Sequence, residues 1–229
     1  MLKELLGLFR TDDPLARMGE DFGTMLDLSH GLTVRAGRVL LEEPSQGDDR
    51  KEIRKSDVQI NKLERKIRKQ VIARLTLGTD AGAVTYCLLL MSIVKDVERI
   101  GDYAKNLAEI HHEGGGPVPD DANGAELRAI RGLVEGTFGS VHEVFVSSDS
   151  VTATGLIKDG RKTNRRCDRL IKMVAGSAYD AATTTSLVLG ARYYKRIESH
   201  LLNVLSGVVM PLHKLDYYDE RVLDPDIGK

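Results

Sequence analysis

The sequence is poor in the residues from which β-sheets and disulfide scaffolds are built. It contains no tryptophan, and only 5% of its 229 residues are aromatic. Because β-strands favour aromatic and β-branched side chains, this composition disfavours a β-sandwich and favours helices. The two cysteines, Cys87 and Cys167, are too few for a disulfide framework or, alone, for a four-ligand zinc site. Two reduced thiols suit a cytoplasmic location, which we predict for the chain.

The sequence also lacks a membrane-spanning segment and a strong excess of one charge. Its longest mostly apolar stretch, Ala83 to Val94, is about half of the roughly 20 residues that a transmembrane helix needs. The 33 basic and 34 acidic residues leave a net charge of −1, which argues against a nucleic-acid coat protein. Residues 1–9 are too short for a secretory signal and carry Glu4. We interpret this N-terminal arm as an ordinary docking segment, with an amphipathic arm as the alternative.

Apolar residues are abundant, and they recur with a helical period. They make up 41% of the sequence, which excludes intrinsic disorder for most of the chain. Clusters of glycine, proline and polar residues separate long segments in which apolar residues recur every three or four positions. Each such segment predicts an amphipathic helix. The predicted helices are 13–42, 50–77, 83–113, 121–148, 150–175 and 179–213.

The two halves of the chain resemble each other on either side of the segment 114–124. Residues 56–67 align with 159–170, and residues 97–102 align with 194–199, in the same order. These alignments predict an internal duplication of a three-helix unit. The predicted fold is all-α, with two tandem antiparallel three-helix bundles, because the connections are short. The predicted division is a first repeat with the N-terminal arm over 1–113, a linker over 114–124, and a second repeat with a C-terminal tail over 125–229.

Acidic and amide side chains with helical spacing suggest a cation site in the first repeat. Glu98 and Asp102 are four residues apart, so they lie on one helix face. Asp57 and Asn61 have the same spacing on the preceding helix and could face them. Oxygen donors of this kind suit magnesium, manganese, calcium or iron.

A solvated acidic face is the alternative interpretation of the same residues. Arg99 and Lys105 are close to the acidic pair in sequence and could serve as its counter-ions. The histidines show no His-x-x-x-His spacing, so they do not predict a zinc enzyme. There is also no P-loop and no nucleophile elbow.

The second and fifth predicted helices are strongly basic. Residues 50–74 contain ten Lys or Arg and three Asp or Glu, and residues 158–172 contain seven and two. Such faces are solvated, or they bind an acidic protein, an anionic lipid surface or a nucleic acid. Aromatic residues do not alternate with these charges, which disfavours nucleic acid as a partner. If the first basic helix guides a partner, the residues involved are Lys62, Arg65, Lys66 and Lys69.

Two motifs, Asp57-x-x-Ile-Asn-x-Leu-Glu64 and Asp96-Val-Glu-Arg-Ile-Gly-Asp102, in a unit duplicated across the linker, resemble the PhoU family of phosphate-uptake regulators. The resemblance covers roughly residues 13–220, including a closing segment, 209–220, that is similar to the tails of PhoU-like proteins. It implies two three-helix bundles and a regulatory, non-enzymatic role. The implied partner is a membrane phosphate transporter or its associated histidine kinase, with peripheral membrane contact through that partner. The oligomeric state stays open, a homodimer included.

The resemblance also implies a metal site, and only in the first repeat. Glu98 and Asp102 match the carboxylate pair of the family, and Asp57 matches one carboxylate of the companion motif, whereas the neutral Asn61 replaces the other. The implied cofactor is a divalent or trivalent metal: iron, zinc, manganese or magnesium. The equivalent positions of the second repeat offer no carboxylate; they are Gly160, Asn164, Lys195 and Ser199.

Two other functions compete with regulation of phosphate uptake. One is a metal-binding helical protein whose acidic site is its main function. The other is a hydrolase with a carboxylate-bound metal, which the absence of a second acidic motif and of paired histidines disfavours.

Overall fold

The computed structural model describes residues 14–41, 48–78 and 81–216, so the predicted N-terminal arm and most of the predicted tail lie outside the described residues. The described part of the chain forms six α-helices and one short 3₁₀-helix, and it contains no strand. The helices are α1 Pro14–Leu41, α2 Asp48–Thr76, α3 Ala81–Glu109, α4 Ala122–Ser147, α5 Ser150–Ala175 and α6 Ala181–Val209, followed by the 3₁₀-helix Leu212–Lys214. The predicted all-α fold of helical bundles is confirmed. None of the described helices is long and apolar enough to cross a bilayer.

Aspartate side chains determine where the helices of the second half begin. Asp121, Asp149 and Asp180 precede α4, α5 and α6, and each accepts hydrogen bonds from backbone N–H groups two or three residues further on. These N-caps satisfy donors that have no partner within the helix. The sequence therefore specifies these helix starts locally.

The apolar stripes that the sequence predicts form the core. On α2, Ile53, Ile60, Ile67 and Val71 are buried, and Leu63 packs against them partly buried. On α3, the helical spacing of apolar residues predicts a stripe of six, and all six are buried: Leu89, Ile93, Val97, Ile100, Ala104 and Leu107. Buried side chains of both halves belong to the same core.

Helix contacts define two three-helix bundles that lie side by side. In the first half α1, α2 and α3 contact one another, and in the second half α4, α5 and α6 do the same. The halves meet through α3 against α6 and α1 against α4. Helices α2 and α5 pack against the other two helices of their own bundle and make no extensive contact with the other bundle. They therefore lie at the two outer edges of the molecule. The division of the chain into two domains at residues 114–124 stays a prediction.

The two halves meet through reciprocal contacts. Asp96 contacts His200, and Tyr103 contacts Tyr193 with ring centroids 6.2 Å apart. The register that aligns 97–102 with 194–199 makes Asp96 equivalent to Tyr193 and Tyr103 equivalent to His200. Tyr103 and His200 also stack on each other, with ring centroids 5.7 Å apart. Reciprocal contacts between equivalent positions are characteristic of two-fold symmetry, so an approximate two-fold axis relates the halves and passes between these two rings.

Candidate functional site

The predicted acidic site lies where α2 and α3 pack together. Lys105 Nζ on α3 lies 3.7 Å from Asp57 Oδ2 on α2 and 3.6 Å from Asp102 Oδ1 on α3. The pKa of Asp57 is raised above its ordinary value, and burial is the largest cause. The positive charge of Lys105 acts in the opposite direction, whereas the negative charges of Asp102 and Glu98 add to the rise. These couplings show that the fold brings the three predicted carboxylates into one electrostatic environment.

Glu98 has its own basic partners in this environment. Its Oε2 lies 2.7 Å from Lys95 Nζ and 3.9 Å from Arg99 Nε. Lys95 also lies 3.9 Å from Glu64 Oε1 on α2, so it too links the two helices. Lys95 was not among the predicted site residues, although its spacing of three residues from Glu98 is typical of a helical ion pair.

The counter-ions that the sequence suggests are in place. Arg99 Nη1 donates to Asp102 Oδ2 at 3.3 Å, and Lys105 contacts the other oxygen of Asp102. Within the described ranges, no group of three or more His, Cys, Asp or Glu side chains is arranged to hold a metal ion. A cation at this site would replace the Lys105 ammonium between Asp57 and Asp102. The metal site, with Asn61 as a partly buried fourth ligand, stays a prediction.

The equivalent positions of the second bundle form a different polar cluster. Lys195 Nζ lies 2.6 Å from Asp168 Oδ1 and 2.7 Å from Oδ2, so it replaces the Glu98 carboxylate with a paired cation. Asn164 Nδ2 donates to Ser199 Oγ at 3.1 Å. This bundle therefore has no counterpart of the acidic pair of the first.

Glu198 is a fully buried carboxyl group in the second bundle, and it was not among the predicted site residues. Its Oε1 accepts a hydrogen bond of 3.2 Å from Thr137 Oγ1, and its Oε2 is buried with no hydrogen-bond partner among the described residues. Burial raises the pKa of Glu198 to about 8, so the neutral acid is favoured around pH 7. The signal in the sequence was Gly160, because a glycine in place of Asp57 leaves space for another side chain.

His200 points to the other half of the chain and not to the acidic site. Its Nδ1 lies 2.7 Å from Asp96 Oδ1, which also accepts a hydrogen bond of 2.8 Å from Asn203 Nδ2. Arg196 Nε donates to Tyr103 Oη at 3.1 Å in the same junction. This polar cluster joins α3 to α6.

The four cations predicted to guide a partner are all exposed on α2. Lys66 Nζ lies 2.7 Å from Asp21 Oδ1 on α1, so its charge is compensated within the fold. Lys62, Arg65 and Lys69 form no ion pair with an acidic residue of the described chain. Lys66 is therefore part of the contact between α2 and α1, whereas Lys62, Arg65 and Lys69 are available to a partner.

Known proteins of the PhoU family are similar to this chain in sequence and in fold. The family model of the PhoU domain matches residues 15–111, which comprise α1, α2 and α3. The match shows that residues 15–111 are similar to PhoU domains. The predicted resemblance to the PhoU family is confirmed, and the acidic site between α2 and α3 lies within the matched PhoU domain.

A curated relative shows the same likeness over a shorter range. The phosphate-specific transport system accessory protein PhoU homolog of Zymomonas mobilis subsp. mobilis is 40% identical over 55 residues. The aligned segment is 23% of this chain and 23% of that protein, so it spans less than a quarter of the relative's length.

Two solved PhoU structures share the fold of nearly the whole chain. The crystal structure of PhoU from Pseudomonas aeruginosa matches with a TM-score of 0.78 at 19% identity, over 89% of this chain and 99% of that one. The phosphate transport system regulatory protein PhoU from Streptococcus pneumoniae matches with a TM-score of 0.72 at 15% identity, over 85% and 92%. The second bundle therefore has the PhoU fold as well.

Proposed function

We propose that this chain is a non-enzymatic cytoplasmic regulator of phosphate uptake. It acts as a protein adaptor on a membrane phosphate transporter or on the histidine kinase associated with that transporter. The proposal rests on the PhoU domain over residues 15–111 within a chain that has the PhoU fold. The relatives with this domain or fold are described as an accessory protein and a regulatory protein of phosphate transport.

The surface of the chain supports an adaptor role. Lys62, Arg65 and Lys69 extend from α2 without an acidic partner in the described part of the chain. Complementary charge accelerates encounter and selects between partners, so an uncompensated basic face suits reversible docking. Cys87 and Cys167 are free and buried, as expected of a protein kept in a reducing compartment.

The adaptor proposal is tested by recovering partners from cells. A tagged chain is purified from phosphate-replete and phosphate-starved cells, and the tag alone is purified in parallel. We expect transporter or kinase subunits with the tagged chain only, in amounts that differ between the two phosphate conditions. Recovery of neither kind of subunit, or of nucleic acid alone, would contradict the proposal.

A metal-binding role is the second candidate. It is favoured by the electrostatic coupling of Asp57, Glu98 and Asp102 across two helices. With Asn61 these residues would bind iron, zinc, manganese or magnesium in the first bundle only. A hydrolase remains the less favoured alternative, and a phosphatase screen of the purified chain would detect it.

A further inference from the structure

Both outer helices present a line of exposed cations to solvent. We define the α5 stripe as five exposed residues spaced alternately four and three apart: Lys158, Lys162, Arg165, Arg169 and Lys172. The α2 stripe contains four exposed residues: Lys55, Lys62, Arg65 and Lys69. Because residues three, four and seven apart share one face of a helix, each stripe is a single narrow ridge.

The duplication places cations at matching positions of the two stripes. The register that aligns residues 56–67 with 159–170 makes Lys62 equivalent to Arg165. The same register pairs Lys55 with Lys158 and Lys69 with Lys172. The acidic site differs between the halves at three of its four positions, whereas these three cationic positions keep their charge. The basic ridge, and not the acidic site, is the polar feature that the halves share.

Most of these charges have no compensation within the fold. Two cations of the stripes have an acidic partner three residues earlier on the same helix: Lys55 lies 3.7 Å from Glu52, and Lys162 lies 2.7 Å from Asp159. Both ion pairs are exposed to solvent. The remaining matched cations form no ion pair with any acidic residue that the structure describes; they are Lys62, Lys69, Lys158, Arg165 and Lys172. An acidic partner can therefore contact them without first displacing a strong internal ion pair.

The positions of the stripes restrict the shape of the partner. Helices α2 and α5 pack only against their own bundles to any extent, so the stripes lie at opposite edges of the molecule. The approximate two-fold axis between Tyr103 and His200 relates the stripes as it relates the halves. A partner with its own two-fold axis can present one equivalent surface to each stripe.

We infer that the α2 and α5 stripes are two equivalent docking surfaces for a protein with two identical subunits, each of which presents one acidic helix. The inference rests on the proposed function, since it describes how the adaptor engages its transporter or kinase. Simultaneous docking at both edges makes the second contact intramolecular, which strengthens binding without a new contact.

The probe for this inference is a synthetic helical peptide of about 18 residues with glutamates alternately three and four apart. A second probe joins two copies by a Gly/Ser linker of about 60 residues, whose average span is about 45 Å. The outer helices are three helix spacings apart, and at about 8–10 Å per spacing their separation is roughly 25–30 Å. The average span of the linker exceeds this separation. Calorimetric titration of the full chain should give two peptides per chain and one linked pair per chain. The linked pair should bind about 100-fold tighter.

Matched charge reversals identify the two surfaces. Two triple variants are compared. One carries Lys55→Glu, Lys62→Glu and Lys69→Glu on α2, and the other carries Lys158→Glu, Arg165→Glu and Lys172→Glu on α5. Each triple variant should keep one peptide site and lose the tighter binding of the linked pair. The control reverses three exposed cations outside the stripes, Arg17, Arg38 and Arg192→Glu, and should keep both sites. Circular dichroism shows whether each variant is folded. A wild-type chain that binds fewer than two peptides, or variants that keep both sites, would overturn the inference.

Recovery from cells separates this inference from the proposed function. If wild type recovers transporter or kinase subunits and both reversed variants recover as much, the docking surfaces are wrong and the adaptor proposal stands. If wild type recovers neither subunit although the peptides bind as expected, the adaptor proposal fails on its own. Flotation with vesicles containing about 30% phosphatidylglycerol tests the lipid alternative. Flotation that needs the stripes, without peptide binding, would replace the protein partner by a membrane surface.

Discussion

Gly160 on α5 lies so close to Glu198 on α6 that a Cβ atom at Gly160 would be 2.3 Å from Glu198 Oε1. The repeat register makes these residues equivalent to Asp57 on α2 and Gly101 on α3. The carboxylate and the glycine have thus exchanged helices between the two bundles. In the first bundle the carboxylate is partly exposed beside Lys105, whereas in the second it is buried in the core.

The first prediction concerns this close approach. Gly160→Ala should destabilise the chain by about 1–3 kcal/mol, because the new methyl group would overlap Glu198 Oε1 and Leu202 Cδ2 in a filled core. The measurement is the free energy of unfolding in urea. Gly155→Ala is the control on the same helix, since a Cβ atom there would have no neighbour within 4 Å and alanine favours helix by up to about 1 kcal/mol. Equal effects of the two substitutions would refute the packing at Gly160.

The second prediction is a stability that falls as the pH rises. Burial raises the pKa of Glu198 from 4.5 to about 8 in the folded chain, so between these values the unfolded chain has released a proton that the folded chain retains. The free energy of unfolding should therefore lose up to about 1.4 kcal/mol per pH unit from this residue between pH 4.5 and 8. Above pH 8 this contribution should level off.

Glu198→Gln tests the assignment of that slope, because the amide has a similar shape and no titrating proton. Urea unfolding at several pH values from about 5 to about 9 should give a flatter profile for the variant than for wild type. Glu143→Gln removes an exposed carboxylate from α4 and serves as the control. A slope that survives Glu198→Gln would assign the pH dependence to other groups.

The helices could be predicted from the sequence because their determinants are local. Apolar residues spaced three and four positions apart indicate a helix within a few turns of the chain. Aspartates such as Asp149 indicate where a helix begins, because they cap its first backbone N–H groups. The burial of Glu198 depends on Gly160, which is distant in sequence and adjacent only after α5 packs on α6. A spacing rule within one helix could not show that contact.

The acidic site illustrates the same distinction. The spacing of Glu98 and Asp102 predicted a shared helix face, and the structure brings Asp57 into their electrostatic environment. The position of Lys105 between Asp57 and Asp102 depends on the relative rotation of α2 and α3, which the sequence does not specify. His200 likewise could not be placed, because its partner Asp96 belongs to the other half.

The third prediction compares two Asp–His pairs of nearly equal length. Asp96 and His200 lie 2.7 Å apart with side chains 11% and 14% exposed, whereas Asp27 and His142 lie 2.8 Å apart at 61% and 40%. A double-mutant cycle to alanine should give a coupling of about 1.5–3 kcal/mol for the buried pair, since a charged hydrogen bond is strong where water is excluded. The exposed pair should give less than about 1 kcal/mol. Similar couplings would mean that burial does not strengthen the junction of the halves.

The last prediction concerns metal in the first bundle. Purified chain reconstituted with iron, manganese, zinc or magnesium should bind metal that depends on Glu98 and Asp102, helped by Asp57 and Asn61, because affinity follows the number and charge of the oxygen ligands. Glu98→Ala with Asp102→Ala should abolish it, as measured by mass spectrometry of metal content. Lys105→Gln should strengthen it, because the Lys105 ammonium lies 3.7 Å from Asp57 and 3.6 Å from Asp102 and competes with the metal.

The second bundle provides the matched control for this site. Lys195→Glu with Ser199→Asp restores the acidic pair there, yet metal binding should rise little, because Gly160 supplies no ligand where the first bundle has Asp57. Metal that persists without Glu98 and Asp102 must be bound elsewhere, and the ligand assignment would then be wrong. If the reconstituted wild type takes up no metal, the carboxylates act only as partners of Lys95, Arg99 and Lys105, and the ion pairs that join α2 to α3 are the function of this acidic face.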